Sequence, residues 1–335
     1  YTVNHNSLRT RRIQYSCIAT SGSKKHIKGR YKRTSAFNFA SRKIVNIVQV
    51  SRQEWEPETK NQRIEQDLDP DVLVIHNPTK LVDNEGNVIA VLQRTPEEQH
   101  AELTWLGRKI LADVNFTDIG SVNGGARMSG IKYPNRTFGT TAPSVMRRRL
   151  ACCYAQLHHQ HPNISETLHR LAVTAWETLQ EEAPTESTEA SDPVYASIHG
   201  DWLMADTPWT SGIINHTASL SYHKDRGNIP DSWSAMYVTK RNVDGGLLHL
   251  PEYNVAFACN DKDLLLFNGQ QAWHGVTPLH ERKVGAEPYR FSIVYYAKSG
   301  CKPCLSAKEE TQRAQVYATE RDQPRETVLG EPIQP

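Results

Sequence analysis

Two textures of apolar spacing divide the chain near residue 194. In the first part, β-rich runs at 44–50 (Ile-Val-Asn-Ile-Val-Gln-Val) and 72–76 (Val-Leu-Val-Ile-His) predict strands. Asp83-Asn-Glu-Gly-Asn87 is turn chemistry between two apolar runs and predicts a hairpin over 78–93. Thr95 before Pro96, Glu97 and Glu98 reads as a cap, a proline in first helical position and acids on the first turn. The spacing of Leu103, Leu106, Ile110 and Leu111 then predicts a helix over 96–114 that buries this stripe. Residues 119–142, rich in Gly, Ser and Thr, read as loop. Helices are expected over 143–159 and 164–182, the second with Leu168, Leu171, Ala172, Ala175 and Leu179 on one face. The acidic, breaker-rich stretch 181–193 predicts an exposed linker.

From 194 onward the apolar runs shorten and turns come quickly. Strands are expected at 213–222, 234–240, 246–250, 253–259, 263–267 and 289–297, a spacing that indicates a β-sandwich or barrel. From Tyr317 the chain is polar and proline-bearing and reads as a loose tail. The expected organisation is a basic arm (1–53), an α/β part (54–193), a β core (194–305) and a C-terminal tail (306–335).

Charge adds a second division. The formal total is only +2, yet residues 1–53 hold twelve Lys or Arg and no Asp or Glu, while the remainder is net −10. Cations interleaved with Tyr and Phe, as in Lys24-Lys25 through Tyr31-Lys32-Arg33, suit phosphate contacts with stacking; a solvated basic arm is the plainer alternative. No run of 18 apolar residues is present, so no membrane span is expected, and the first residues lack the apolar core of a signal peptide. Six cysteines are too few for a disulfide framework at this length and point to a reducing, intracellular setting: nuclear in a eukaryote, cytoplasmic in a phage or bacterium. Cys301-Lys-Pro-Cys304 is a lone C-x-x-C. Zinc there would need two more ligands, so ordinary thiols are expected.

The chemistry is concentrated in one ordered set. His223-Lys-Asp225 ends a predicted strand, where side chains at i and i+2 share a face and can converge on one ion. His274 follows 51 residues later, inside Ala272-Trp-His-Gly-Val276. Two His and one carboxylate on one face of an octahedral ion leave open positions, as in non-haem Fe(II) oxygenases. Arg290-Phe-Ser292 then lies on an apolar strand, where a buried arginine needs an anionic partner; a dicarboxylate cosubstrate supplies one in forked geometry. Zinc hydrolase chemistry also uses His and carboxylate ligands but leaves Arg290 and Ser292 without a role.

Together with Gly245-Gly246 and Asp263-Leu-Leu-Leu-Phe267, these residues resemble the double-stranded β-helix 2-oxoglutarate dioxygenases over about 211–298. Within them the chain looks most like the TET/JBP group, which hydroxylates the 5-methyl of pyrimidines in nucleic acid. Asn228 stands five residues after His223, where that group has a base-contacting Asn. Tyr296 stands six residues after Arg290, where the group can place an aromatic that stacks on a flipped base. The short interval between the metal histidines resembles JBP and phage members. Animal TET enzymes carry a histidine where this chain has Lys298. The upstream Gly124-Gly-Ala-Arg127 and Arg136-Thr-Phe-Gly139 resemble Arg-rich loops of the group, which makes Arg127 a candidate cosubstrate contact.

The resemblance implies an α+β fold: a jelly-roll core with helices packed on one face. It implies Fe(II) on His223, Asp225 and His274, 2-oxoglutarate on Arg290 and Ser292, O2 as oxidant, and a base held by Asn228, Tyr296 and Lys298. DNA is the expected partner of a monomeric enzyme, through a flipped pyrimidine and phosphate contacts from the basic arm and Arg147-Arg-Arg149. 5-Methylcytosine is set slightly ahead of thymine. Two alternatives stay open: a hydroxylase of protein or small molecules on the same core, and a nucleic-acid-binding module with a vestigial site.

Overall fold

A computed structural model describes residues 46–59, 62–64, 68–116, 134–144, 150–282 and 284–322. Arg127, Arg147-Arg-Arg149 and basic residues 1–45 lie outside these described residues.

Two sheets face each other. The larger has nine strands in the order β1 (Asn46–Gln49), β3 (Thr79–Val82), β4 (Val88–Arg94), β13 (Asp263–Phe267), β9 (Ser234–Arg241), β16 (Tyr289–Tyr296), β7 (Ser211–His216), β5 (Asn135–Thr141) and β6 (Cys153–Tyr154). The smaller runs β2 (Leu73–Ile75), β12 (Val255–Phe257), β11 (Leu248–Leu250), β14 (His274–Val276) and β8 (Leu220–His223). A two-stranded flap joins β10 (Val243–Gly245) to β15 (Leu279–Glu281). From β7 onward the chain passes back and forth between the two facing sheets, with β11 and β12 as a hairpin within the smaller, which is the jelly-roll path.

Strand periodicity explains why the runs of this region look uniformly apolar. In β9, Ala235 and Tyr237 join one core cluster, while Met236 and Val238 join another. In β13, Leu264 and Leu266 go one way and Leu265 and Phe267 the other. Both faces of these strands are covered, so alternation is hidden. The outer cover is helical: α1 (Glu97–Asp113) and α3 (Pro162–Glu182) lay Leu103, Leu106, Ile110, Leu168 and Leu171 against Tyr237, Phe291, Ile293 and Tyr295. The hydroxyls of Tyr237 and Tyr295 donate to the Leu171 and Leu168 carbonyls at 3.0 and 2.8 Å, tying α3 to the sheet at its apolar centre.

Several expectations are corrected. The arm does not reach residue 53: Asn46–Gln49 pairs in parallel with Thr79–Val82, and Arg52 bonds Glu252 at 2.6 Å. Residues 119–142 are not all loop, because Asn135–Thr141 is a strand beside β7. Its glycine reflects close packing, since a Cβ at Gly139 (φ +70°) would fall 2.7 Å from the Thr210 carbonyl oxygen of the neighbouring segment. The helix over 143–159 shrinks to α2 (Gln156–Gln160), its described upstream part being spent on β6. The strand over 213–222 is two strands, broken at Thr217 (φ 44°), where the chain crosses between sheets.

Thr95 does not cap α1. Its hydroxyl donates to the Lys262 carbonyl at 2.8 Å, and Pro96 holds the N-cap position. The acidic linker is instead α4 (Pro184–Ser197), with Pro193 inside it. Small residues at helical spacing (Ser187, Ala190, Ser191, Val194) form its buried face. The tail is helical over α5 (Ala307–Asp322), opened by Ser306 and Glu309 exchanging side chain-to-amide bonds in a capping box. Cys304 is no ordinary thiol: its sulfur meets that of Cys152 at bonding contact, with Cα atoms 5.8 Å apart. No helix among the described residues is long and apolar enough to cross a membrane.

Candidate metal centre and cavity

Strand pairing assembles the three candidate ligands. His223 ends β8 and His274 begins β14, and the two are register partners. Asp225 follows His223 by two residues, its amide donating to the Gly269 carbonyl at 2.8 Å. Nε2 of His223 lies 3.7 Å from Asp225 Oδ1, and Nε2 of His274 lies 3.9 Å from Oδ2. One nitrogen or oxygen from each residue falls within 4.8 Å of the others.

The far side of each imidazole is already committed. Nδ1 of His223 is 2.7 Å from the Ser221 carbonyl, and Nδ1 of His274 is 3.0 Å from that of Ala272. A carbonyl only accepts, so each Nδ1 carries a proton, and in the neutral ring each Nε2 presents a lone pair inward. Gly269 keeps the space open, since a Cβ there would sit 2.9 Å from Asp225 Oδ2. Two neutral imidazoles and a carboxylate, aimed at one point and orientated from behind, fit a divalent metal such as iron.

Glu252 is a supporting residue that sequence reasoning missed. Buried in the 3-10 turn that follows β11, its carboxylate accepts the Trp273 amide at 2.7 Å and bonds Arg52, with Lys224 Nζ at 3.7 Å. Trp273 precedes one ligand, and Lys224 lies between the other two. No motif marks a glutamate of this kind; only the folded register brings it there.

A cavity of about 360 Å³ opens beside the three ligands, between the sheets. Its wall includes Asn228, Tyr296, Lys298 and Ser292, as well as Asn215, which was not foreseen. Asn228 and Lys298 are joined as bridge partners, so the candidate base contacts sit side by side. Asn215 Nδ2 donates to the Ser292 hydroxyl at 3.3 Å.

Arg290 is not on that wall. It shares the inward face of β16 with Ser292, one strand repeat deeper, and is 1% exposed. Its Nη2 donates to the Gly246 carbonyl at 3.1 Å, while its Nε has no partner among the described residues. Gly246 (φ +69°) makes room, as a Cβ there would lie 2.8 Å from that Nε. Burial pushes the guanidinium below its ordinary pKa. A desolvated cation with an orphaned donor is a site built for an anion, and a carboxylate fits it. Arg136, by contrast, turns away to Gln156 and Gln160.

Residues 148–299 match the Tet_JBP family model, described as the oxygenase domain of the 2OGFeDO superfamily. Thymine dioxygenase JBP1 of Trypanosoma brucei brucei is 28% identical over 119 residues, 35% of this chain and 13% of that protein. The chain therefore spans a small fraction of the length of this relative. Among solved structures, NgTET1 in complex with 5mC DNA superposes with a TM-score of 0.51 at 15% identity, covering 81% of this chain and 90% of that one. That likeness concerns the fold.

Proposed function

We propose that this protein, whose residues 148–299 match the Tet_JBP oxygenase-domain model, is an Fe(II)- and 2-oxoglutarate-dependent dioxygenase that oxidises the 5-methyl group of a pyrimidine in DNA. The observation that carries the reading is the convergence of His223, Asp225 and His274 beside a cavity lined by Asn228, Tyr296 and Lys298.

The metal, when bound with 2-oxoglutarate and O2, would supply the oxidation itself. The protein's part is positioning. His223, Asp225 and His274 would hold the ion on one face, with Ser221 and Ala272 fixing the imidazoles. Arg290 would take the distal carboxylate of 2-oxoglutarate, with Ser292 and Asn215 beside it. A methyl inside a duplex cannot reach this point, so the base must leave the stack, at a cost of a few kcal/mol. Tyr296 would stack on the extruded ring and Asn228 would contact its edge. Basic residues 1–45 would offset that cost through phosphate contacts.

Both candidate bases carry the methyl, so only the remaining ring edge separates them. Lys298 stands on the cavity wall, and an ammonium only donates. Thymine offers an oxygen at C4, whereas 5-methylcytosine offers an amino group. Lys298 thus favours thymine, reversing the order expected from the breadth of the group, and the name of the trypanosome relative agrees.

The test is mass spectrometry of nucleosides after incubating the protein with Fe(II), 2-oxoglutarate and duplexes containing thymine alone or with 5-methylcytosine. A hydroxymethyl pyrimidine is expected, formed in step with succinate. Turnover of 2-oxoglutarate without any modified nucleoside would redirect the site to a protein or small-molecule substrate.

A further inference from the structure

Three of the six cysteines meet at one buried point away from the candidate iron ligands. Cys152 precedes β6, Cys301 ends a short 3-10 turn after β16, and Cys304 follows three residues later. They are 4, 0 and 6% exposed, and their sulfurs all lie within 4.8 Å of one another. The Cys152 and Cys304 sulfurs are in bonding contact, and the Cys301 sulfur completes the cluster. A tetrahedral cation can use all three, with the Cys152 and Cys304 sulfurs drawn from bonding contact to roughly 3.8 Å apart, as zinc–sulfur distances of about 2.3 Å require.

The frame around the sulfurs is built from hydrogen bonds and does not depend on a covalent link. The Cys304 amide donates to the Cys301 carbonyl at 3.1 Å, and the Cys301 amide to the Lys298 carbonyl at 3.0 Å, closing a tight turn. The Glu310 carboxylate, 1% exposed, accepts the Cys152 amide at 2.8 Å and the Leu305 amide at 2.9 Å. It therefore joins the two cysteine-bearing segments from behind, with Arg313 at 3.0 Å balancing its charge.

We propose that in the reduced chain Cys152, Cys301 and Cys304 bind one zinc-class divalent cation as thiolates, with water in the fourth position. Binding releases the thiol protons to solvent and involves no change of oxidation state. The site would fasten the segment before β6 to the turn that follows Lys298, bracing that part of the cavity wall.

The test uses the full chain purified in reducing buffer, carrying His223→Ala, Asp225→Ala and His274→Ala so that zinc cannot occupy the candidate iron site. Elemental analysis after passage over a chelating resin is expected to find one zinc per chain, lost on Cys301→Ser. Cobalt(II) loading should give the near-ultraviolet thiolate-to-cobalt absorption. That spectrum decides the matter even where Cys301→Ser does not fold. No zinc, no such band and a Cys152–Cys304 crosslink on non-reducing alkylation would make the site a disulfide and overturn the proposal. Zinc retained by folded Cys301→Ser would do the same.

Discussion

His274 faces His223 directly across the β8–β14 pair, ring centroids 4.2 Å apart, and the two imidazoles address opposite oxygens of Asp225. Strand pairing alone therefore brings the donor set together. Replacing His223, Asp225 or His274 by Ala should remove Fe(II) binding and lower succinate release on the order of a hundredfold or more, with the fold retained. Equal turnover in His274→Ala and the parent at saturating Fe(II) would exclude this site.

Arg290→Ala should act on the cosubstrate. Losing one or two hydrogen bonds to a carboxylate, at about 1.5–3 kcal/mol each, raises the 2-oxoglutarate half-saturation by roughly tenfold to a hundredfold or more. Stability should fall little, since the guanidinium is buried with no carboxylate partner among the described residues. Succinate release measured against 2-oxoglutarate concentration checks this; an unchanged half-saturation would pass the role to another group, Arg127 being the first candidate.

Lys298→His exchanges a donor for a group that can also accept. In competition between duplexes differing only at the target base, the ratio of 5-methylcytosine to thymine oxidation should rise. If the ratio stays fixed, and Asn228→Ala and Tyr296→Ala leave activity intact, the flipped-base pocket falls.

Deletion of residues 1–42 stops short of β1 and removes most of the basic arm. Duplex affinity should drop and its salt dependence flatten, while 2-oxoglutarate oxidation without DNA persists. Binding titrations at two salt concentrations decide it; the same affinity and slope in both proteins would make the arm irrelevant to DNA.

His249 links pH to stability. Burial lowers its imidazole to about 4, and its Nδ1 pairs with the Tyr222 hydroxyl at 2.6 Å. In the unfolded chain the value returns to about 6.5. The folded state thus resists a proton that the unfolded state accepts. Its contribution is complete above about pH 6.5 and fades as pH falls toward 4, amounting to roughly 2–3 kcal/mol. Urea midpoints at pH 7.5 and 4.5 should converge in His249→Gln relative to the parent; an identical pH dependence would remove His249 as the cause.

The candidate site was legible because its signals are local. His223 and Asp225 are two residues apart on one strand, and each remaining motif lies on a single turn or strand. Glu252 and Asn215 were not legible, as their roles arise from pairings distant in sequence. The helix α4 was misread because Pro and acidic residues outweighed a buried face made only of small side chains. By contrast, Ser306 and Glu309 form a capping box that the sequence does print, but the helix behind it is polar and shows no apolar stripe to announce it.

The interleaving of early strands limits how this protein can be cut. β4 closes one side of β13, β5 closes one side of β7, and β2 closes one side of β12. A fragment beginning at residue 148 would strip all three and leave Leu264, Leu265, Leu266 and Phe267 on a bare sheet edge. Unpaired, apolar edges recruit other chains. The segment that carries the oxygenase signature is thus not a unit that can be produced on its own, and any fragment meant to stay soluble must begin before β2.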